Sequence, residues 1–192
     1  ETNELEKAIA CFEKARVSGT ENPETFRNAG VAFERTGDYE SAEACFSKAL
    51  RLNPHFDDVR DLLADHYILI GQFEKSIALY RDYLKISPNN IRALSRLVFC
   101  LSQNNRVKEA VELAEETIRL YPNSPVGYVD CAYVHLNAGH YDEALVFAGK
   151  ALDVSPIDAE ALRVKGIANS EKQRDNEAEE AFEAALKLEP QN

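Results

Sequence analysis

The sequence predicts an all-α protein built from repeated pairs of antiparallel helices, and three observations carry that prediction. Pro54, Pro88, Pro122, Pro156 and Pro190 follow one another at intervals of 34 residues, a period that belongs to arrays of helical hairpins. Ahead of each proline, apolar residues recur at helical spacing in two separate stretches. Between the two stretches lies a short turn, which carries a glycine at Gly37, Gly71 and Gly139.

The prolines set the register. Each sits in a matching context, LNPHF, ISPNN, LYPNS, VSPID and LEPQN, where an apolar residue two places earlier closes the second stretch. Proline lacks the amide hydrogen and its ring clashes with the preceding turn, so each one ends a helix. With Pro54 at the thirty-second place of a unit, five full units cover residues 23–56, 57–90, 91–124, 125–158 and 159–192. Residues 1–22 are then the second helix of a truncated sixth, since Ala8, Phe12 and Ala15 stand 34 residues before Ala42, Phe46 and Ala49. Together they are expected to form one continuous domain. The chain opens at Glu1 within a unit and contains no Met, so it is read as a piece of a longer protein that continues beyond at least one end.

Within a unit the first helix carries apolar or small residues at places 4, 7, 8 and 11, as in Phe26, Ala29, Gly30 and Phe33 or Leu94, Leu97, Val98 and Leu101. That spacing is a single stripe along one helix face. The turn follows in TGDYESA, IGQFEKS and AGHYDEA, where glycine can take the left-handed conformation that ends a helix. The second helix sets small residues beside an aromatic, Ala42 and Ala49 with Phe46, and again Ala178 and Ala185 with Phe182. Small residues let two helices approach closely, and the aromatic fills the space above them.

A large residue, a small one and an aromatic at these intervals, then A-x3-F and a closing proline, form the tetratricopeptide signature. The chain resembles that family over essentially its whole length. The resemblance implies a right-handed superhelical solenoid whose first helices line a concave wall that binds extended or helical peptides.

Two units depart from the pattern. Arg60 stands where the first large apolar residue of its unit belongs, and the last unit has Lys165, Asn169 and Asp175 at core places. The expectation for the last unit is a water-facing surface near an array end, which solenoids need for solubility; the competing reading is a dedicated polar site.

Composition narrows the functional classes. Hydrophobic residues make 45% and charged residues 29% of the 192, which excludes disorder and collagen-like structure. No apolar run is long enough to span a bilayer and no basic-then-apolar leader is visible, so direct membrane insertion is not expected. The net charge of −11 opposes nucleic acid and anionic lipid heads, which require clustered Lys and Arg. Cys11, Cys45, Cys100 and Cys131 show neither CxxC spacing nor a dense framework, which fits a reducing compartment such as the cytoplasm.

Catalytic, metal and cofactor sites find no support in the sequence, and none is expected. Cys131 and His135 are four apart on one helix, but they occupy core places 7 and 11 of their unit and bring no third ligand. Cys11 and Cys45 fall one repeat apart, and equivalent points on packed helices lie about 8–10 Å apart, beyond disulfide reach, so both are expected as thiols. His55, His66 and His140 fall on different elements with no paired nucleophile. GxGxxG, the P-loop and HExxH are all missing. Acidic pairs such as Asp57 with Asp58 or Glu179 with Glu180 belong to solvated faces.

What remains is binding. Places 2, 5, 6, 9, 12 and 13 of the first helix point away from the packed stripe, yet place 9 reads Val31, Asp65, Phe99, Tyr133 and Ile167, four of them apolar. Either neighbouring first helices partly bury this row, or it lines a groove for a partner segment. By unit the charge runs −2, −1, −2, +1, −4 and −3, so only residues 91–124 are net positive. There Arg92 and Arg96 share the outward face with Phe99, an arrangement suited to a segment of acidic and apolar character. Equally, the two arginines can pair with acids of neighbouring helices, Asp58, Asp61, Asp65 or Asp130. Chaperone-binding members of the family hold a C-terminal carboxylate with Lys and Asn at places 5 and 9, Asn at the next 9, and basic residues at the third 2 and 6. Arg27, Val31, Asp65, Arg92 and Arg96 stand there, so both asparagines are missing and chaperone-tail capture is not expected. The candidate partner-binding residues are thus Arg27, Val31, Asp65, Arg92, Arg96, Phe99, Tyr133 and Ile167. The function expected is a non-catalytic scaffold that holds a partner protein or peptide. A self-assembling structural scaffold and a targeting or regulatory arm of a larger enzyme are the alternatives.

Overall fold

The computed structural model describes Ala10 and residues 22–188. The half-unit 1–22, the Cys11 and Cys45 comparison and Pro190 therefore lie wholly or partly outside the described residues. Among those described, ten helices and no strand occur: α1 (Pro23–Thr36), α2 (Tyr39–Leu52), α3 (Asp57–Leu69), α4 (Phe73–Ile86), α5 (Ile91–Gln103), α6 (Val107–Leu120), α7 (Val126–Asn137), α8 (Tyr141–Val154), α9 (Ala159–Glu171) and α10 (Asp175–Leu188). The chain divides into two compact units, Glu1–Leu79 and Tyr80–Asn192.

Helix limits follow from local chemistry. Asn22, Asp38, Asn90 and Asp158 cap α1, α2, α5 and α9, each side chain accepting a backbone N–H of the first turn at 2.9 to 3.1 Å, which satisfies a donor the helix itself leaves unpaired. The second helices α2, α4, α6 and α8 end at Leu52, Ile86, Leu120 and Val154, each two residues before its proline. Between the helices of a pair, Gly37, Gly71 and Gly139 have φ of 80°, 72° and 76°, and Asn105 and Gln173 take 58° and 59° at the equivalent places. The left-handed residue therefore ends the first helix in all five pairs, with or without glycine.

In the first unit α1 packs on α2 and α2 on α3. Its core joins Phe26, Ala29, Phe33, Ala42, Cys45, Phe46, Ala49, Val59, Leu63 and Tyr67. Phe46 is fully buried and lies over Gly30, where an added Cβ would meet the ring at 2.5 Å. Arg60, at an apolar place, is 4% exposed. Its guanidinium is neutralised by Asp57 Oδ1 at 2.5 Å and also donates to the Pro54 carbonyl, so the stem fills the core while the head meets polar atoms.

In the second unit each helix from α5 to α10 packs on the next, and the first helices also pack on one another, α5 on α7 and α7 on α9. Small residues make this possible: Ala132, Ala144, Ala148, Val164 and Ala168 form one buried cluster. Cys131 is also buried, and His135 stacks on Phe147 at 5.4 Å with the planes 9° apart. The polar end face expected of the last unit is only partly realised. Lys165 and Asp175 are exposed, whereas Asn169 is 3% exposed; the α9–α10 turn accounts for its backbone, since the Asn169 carbonyl accepts from the Lys172 and Arg174 amides.

Candidate functional site

A groove of about 510 Å³ opens on the outward face of α5, α7 and α9 in the second unit. α5 contributes Ser95, Arg96, Phe99, Ser102 and Gln103, α7 contributes Asp130, Tyr133 and Asn137, and α9 contributes Glu160 and Arg163. Every one of these residues occupies place 2, 5, 6, 9, 12 or 13 of its unit. The face that a 3.6-residue period turns away from the core is thus the face that lines the groove. Val98, Val129 and Val134 complete an apolar floor.

Polar side chains hold the wall in place. Ser95 donates to Asp130 Oδ1 at 2.7 Å, and Asn137 Nδ2 donates to Ser102 Oγ at 3.2 Å, so α5 and α7 are tied at two levels. Across from α7, the Tyr133 hydroxyl donates to Glu160, and Arg163 donates to both Tyr133 and Glu160, at 2.9 and 2.6 Å. Burial and the Glu160 carboxylate push the Tyr133 phenol up to about 12. Arg96 donates to the Tyr80 hydroxyl at 3.3 Å and its guanidinium carbon lies 5.7 Å from the Phe99 ring centre, within cation–π range.

One polar atom of the groove is left over. Asp130 Oδ2 is shut off from solvent and has no hydrogen-bond partner, although the residue as a whole is only partly buried. Loss of hydration outweighs the Ser95 hydrogen bond and pushes the carboxyl up to about 7.

The structure brings Arg96, Phe99 and Tyr133 together in the groove of the second unit. Phe99 is 41% exposed beside the groove, and Ile167 is 37% exposed on α9 without lining it. Arg92 is exposed on α5, one turn from Arg96, and is not among the residues that line the groove. In the first unit Arg27 Nε bonds Asp58 at 2.6 Å, Val31 packs against the core, and Asp65 is exposed. At place 9, Val31 and Tyr133 are partly covered by neighbours, whereas Phe99 and Ile167 are exposed. Sequence reasoning missed Ser95, Asn137, Glu160 and Arg163 as groove residues and treated Asp130 only as a partner for arginine. The outward places contain all five.

A family model described as tetratricopeptide repeat matches residues 1–57, 27–91 and 130–192, and a second such model matches 71–129. The chain belongs to the tetratricopeptide repeat family. Among curated relatives, DnaJ homolog subfamily C member 3 of Rattus norvegicus is 24% identical over 158 residues, covering 74% of this chain and 31% of that protein. Interferon-induced protein with tetratricopeptide repeats 2 of Mus musculus is 27% identical over 141 residues, 71% of this chain and 28% of its own. The chain thus spans about a third or less of these relatives. Among solved structures, TTC0263, a thermophilic TPR protein of Thermus thermophilus, superposes with a TM-score of 0.69 at 18% identity, covering 89% of this chain and 93% of that one. PilW, a type IV pilus biogenesis factor, superposes at 0.65 and 17% identity over 100% and 89%. These likenesses are likenesses of fold.

Proposed function

We propose that this chain is a non-catalytic interaction scaffold that holds an extended or helical segment of another protein in the α5–α7–α9 groove, with Phe99, Arg96 and Tyr133 as its contacts. The reading takes residues 23–192 as five units of one array, with Ile167 and Arg92 extending the contact surface on either side. One observation carries it: a half-exposed aromatic stands beside a roomy, mostly apolar-floored hollow whose polar walls are already fixed by hydrogen bonds. Exposed apolar surface rimmed by polar groups is what partner segments cover, and a wall that does not need ordering on binding loses less entropy. Peptides selected by the protein from a displayed library of random dodecapeptides test the site. Phe99→Ala combined with Arg96→Ala is expected to weaken the selected peptides at least about tenfold while leaving helicity and thermal melting unchanged, since neither side chain belongs to the core. Undiminished binding by the double variant removes this groove as the site.

A further inference from the structure

Asp130 points to the chemistry of the segment. We infer that the groove selects a basic residue next to an apolar one: a Lys or Arg of the bound segment donates to the Asp130 carboxylate while its apolar neighbour covers Phe99. The inference rests on the interaction reading above and narrows it to one class of partner. Among the groove's charged groups, Arg163 is already matched by Glu160 at 2.6 Å, whereas Asp130 Oδ2 has no donor within reach. Ser95 holds only the other oxygen. The Cβ–Cγ torsion of aspartate is broad, so a modest turn of the carboxyl presents an oxygen to an incoming cation. A charge-assisted hydrogen bond in a site poor in water is worth more than one at the surface.

The same geometry gives the association a pH dependence. The carboxyl of the unoccupied protein is pushed up to about 7, and a bound cation favours its ionised form, so affinity rises as pH climbs through 7. Arg96 from α5, Glu160 and Arg163 from α9 and Tyr133 of α7 itself are the ionisable groups around it in the groove. On the sides of α6 and α8, Glu115 and Lys150 act on the adjacent Cys131, whose thiol is pushed up to about 12. Neither that thiol nor Tyr133 titrates near neutrality.

The dodecapeptides selected by the wild type supply the probe. The best one is synthesised with its basic residue as Lys, norleucine and Glu. The Lys form is expected to bind about tenfold tighter than the norleucine form, with the Glu form weakest. In Asp130→Asn the Lys and norleucine forms should become nearly equal while binding persists. In the wild type alone, independent of any variant's folding, the Lys form should tighten about tenfold between pH 6 and pH 8 relative to the norleucine form. Selection of acidic or wholly apolar peptides, or a Lys preference that survives Asp130→Asn, overturns the assignment to Asp130 but leaves the groove in place. Peptides indifferent to the Phe99 and Arg96 substitutions, or no selected peptide at all, overturn both.

Discussion

A carboxylate oxygen that loses water without gaining a donor lowers the stability of the fold that holds it, and Asp130 Oδ2 is in that state. With the carboxyl pushed from 3.8 up to about 7, the folded chain holds more protons than the unfolded one across that interval. This residue therefore withdraws stability as pH rises from about 4 to about 7. Asp130→Asn keeps an oxygen for Ser95 and cannot ionise. Its amide also meets no acceptor, a cost that does not change with pH. The stability difference between variant and wild type should shift toward the variant by about 2–4 kcal/mol between pH 4 and pH 8, read from urea unfolding midpoints; a difference flat in pH would sink the account of Asp130. Gln173 presents a simpler conflict, since it holds φ 59° where three sister turns have glycine. A Cβ in that region costs about 1 kcal/mol. Gln173→Gly should raise stability by about that amount, and a variant no more stable than the wild type would mean the turn tolerates the side chain.

Two of the helix pairs set a glycine at place 8 of the first helix against a phenylalanine at place 24 of the second. Gly30 faces Phe46 and Gly166 faces Phe182, each with room for no Cβ, 2.5 Å from the ring. In the middle of the second unit, Ala132 and Ala148 share one buried cluster. In these two pairs the ring occupies the space that a Cβ on the other helix would take, while two small residues let helices pack closely. The two glycines should not respond alike to substitution. Phe46 is fully buried while Phe182 keeps some exposure, so only the second ring has somewhere to go. Gly30→Ala is expected to cost about 2–3 kcal/mol and Gly166→Ala about 1 kcal/mol or less; equal losses would show that Phe46 repacks as easily as Phe182. This much was legible in the sequence, because both partners belong to one 34-residue unit and their spacing repeats. The outward places were legible for the same reason. What periodicity could not reveal was Asn169 drawn into burial, or Arg60 filling a core place with its head turned to Asp57 and Pro54, since both depend on how neighbouring atoms close around one side chain.

The groove draws on three successive repeats, and side-chain hydrogen bonds join residues of neighbouring repeats, as in Ser95 with Asp130, Asn137 with Ser102 and Arg163 with Tyr133. A single-unit pattern contains no trace of such pairings. The count of net charge by repeat drew attention to Arg92 and Arg96 and gave no sign of Asp130, whose Oδ2 lacks a hydrogen-bond partner in the groove. The two compact units, Glu1–Leu79 and Tyr80–Asn192, place Gly30 and Phe46 in one and the whole groove in the other. In repeat proteins stability is close to a sum of local and nearest-neighbour contributions, so a strained packing contact loosens its own surroundings first. Gly30→Ala should therefore speed amide hydrogen exchange across α1 and α2 while residues of α5, α7 and α9 keep their protection. The variant should still bind groove-selected peptides with wild-type affinity at temperatures below its first melting transition. Uniformly faster exchange through both units, together with lost peptide binding, would instead mean that the array unfolds as one cooperative body and that the groove depends on distant packing.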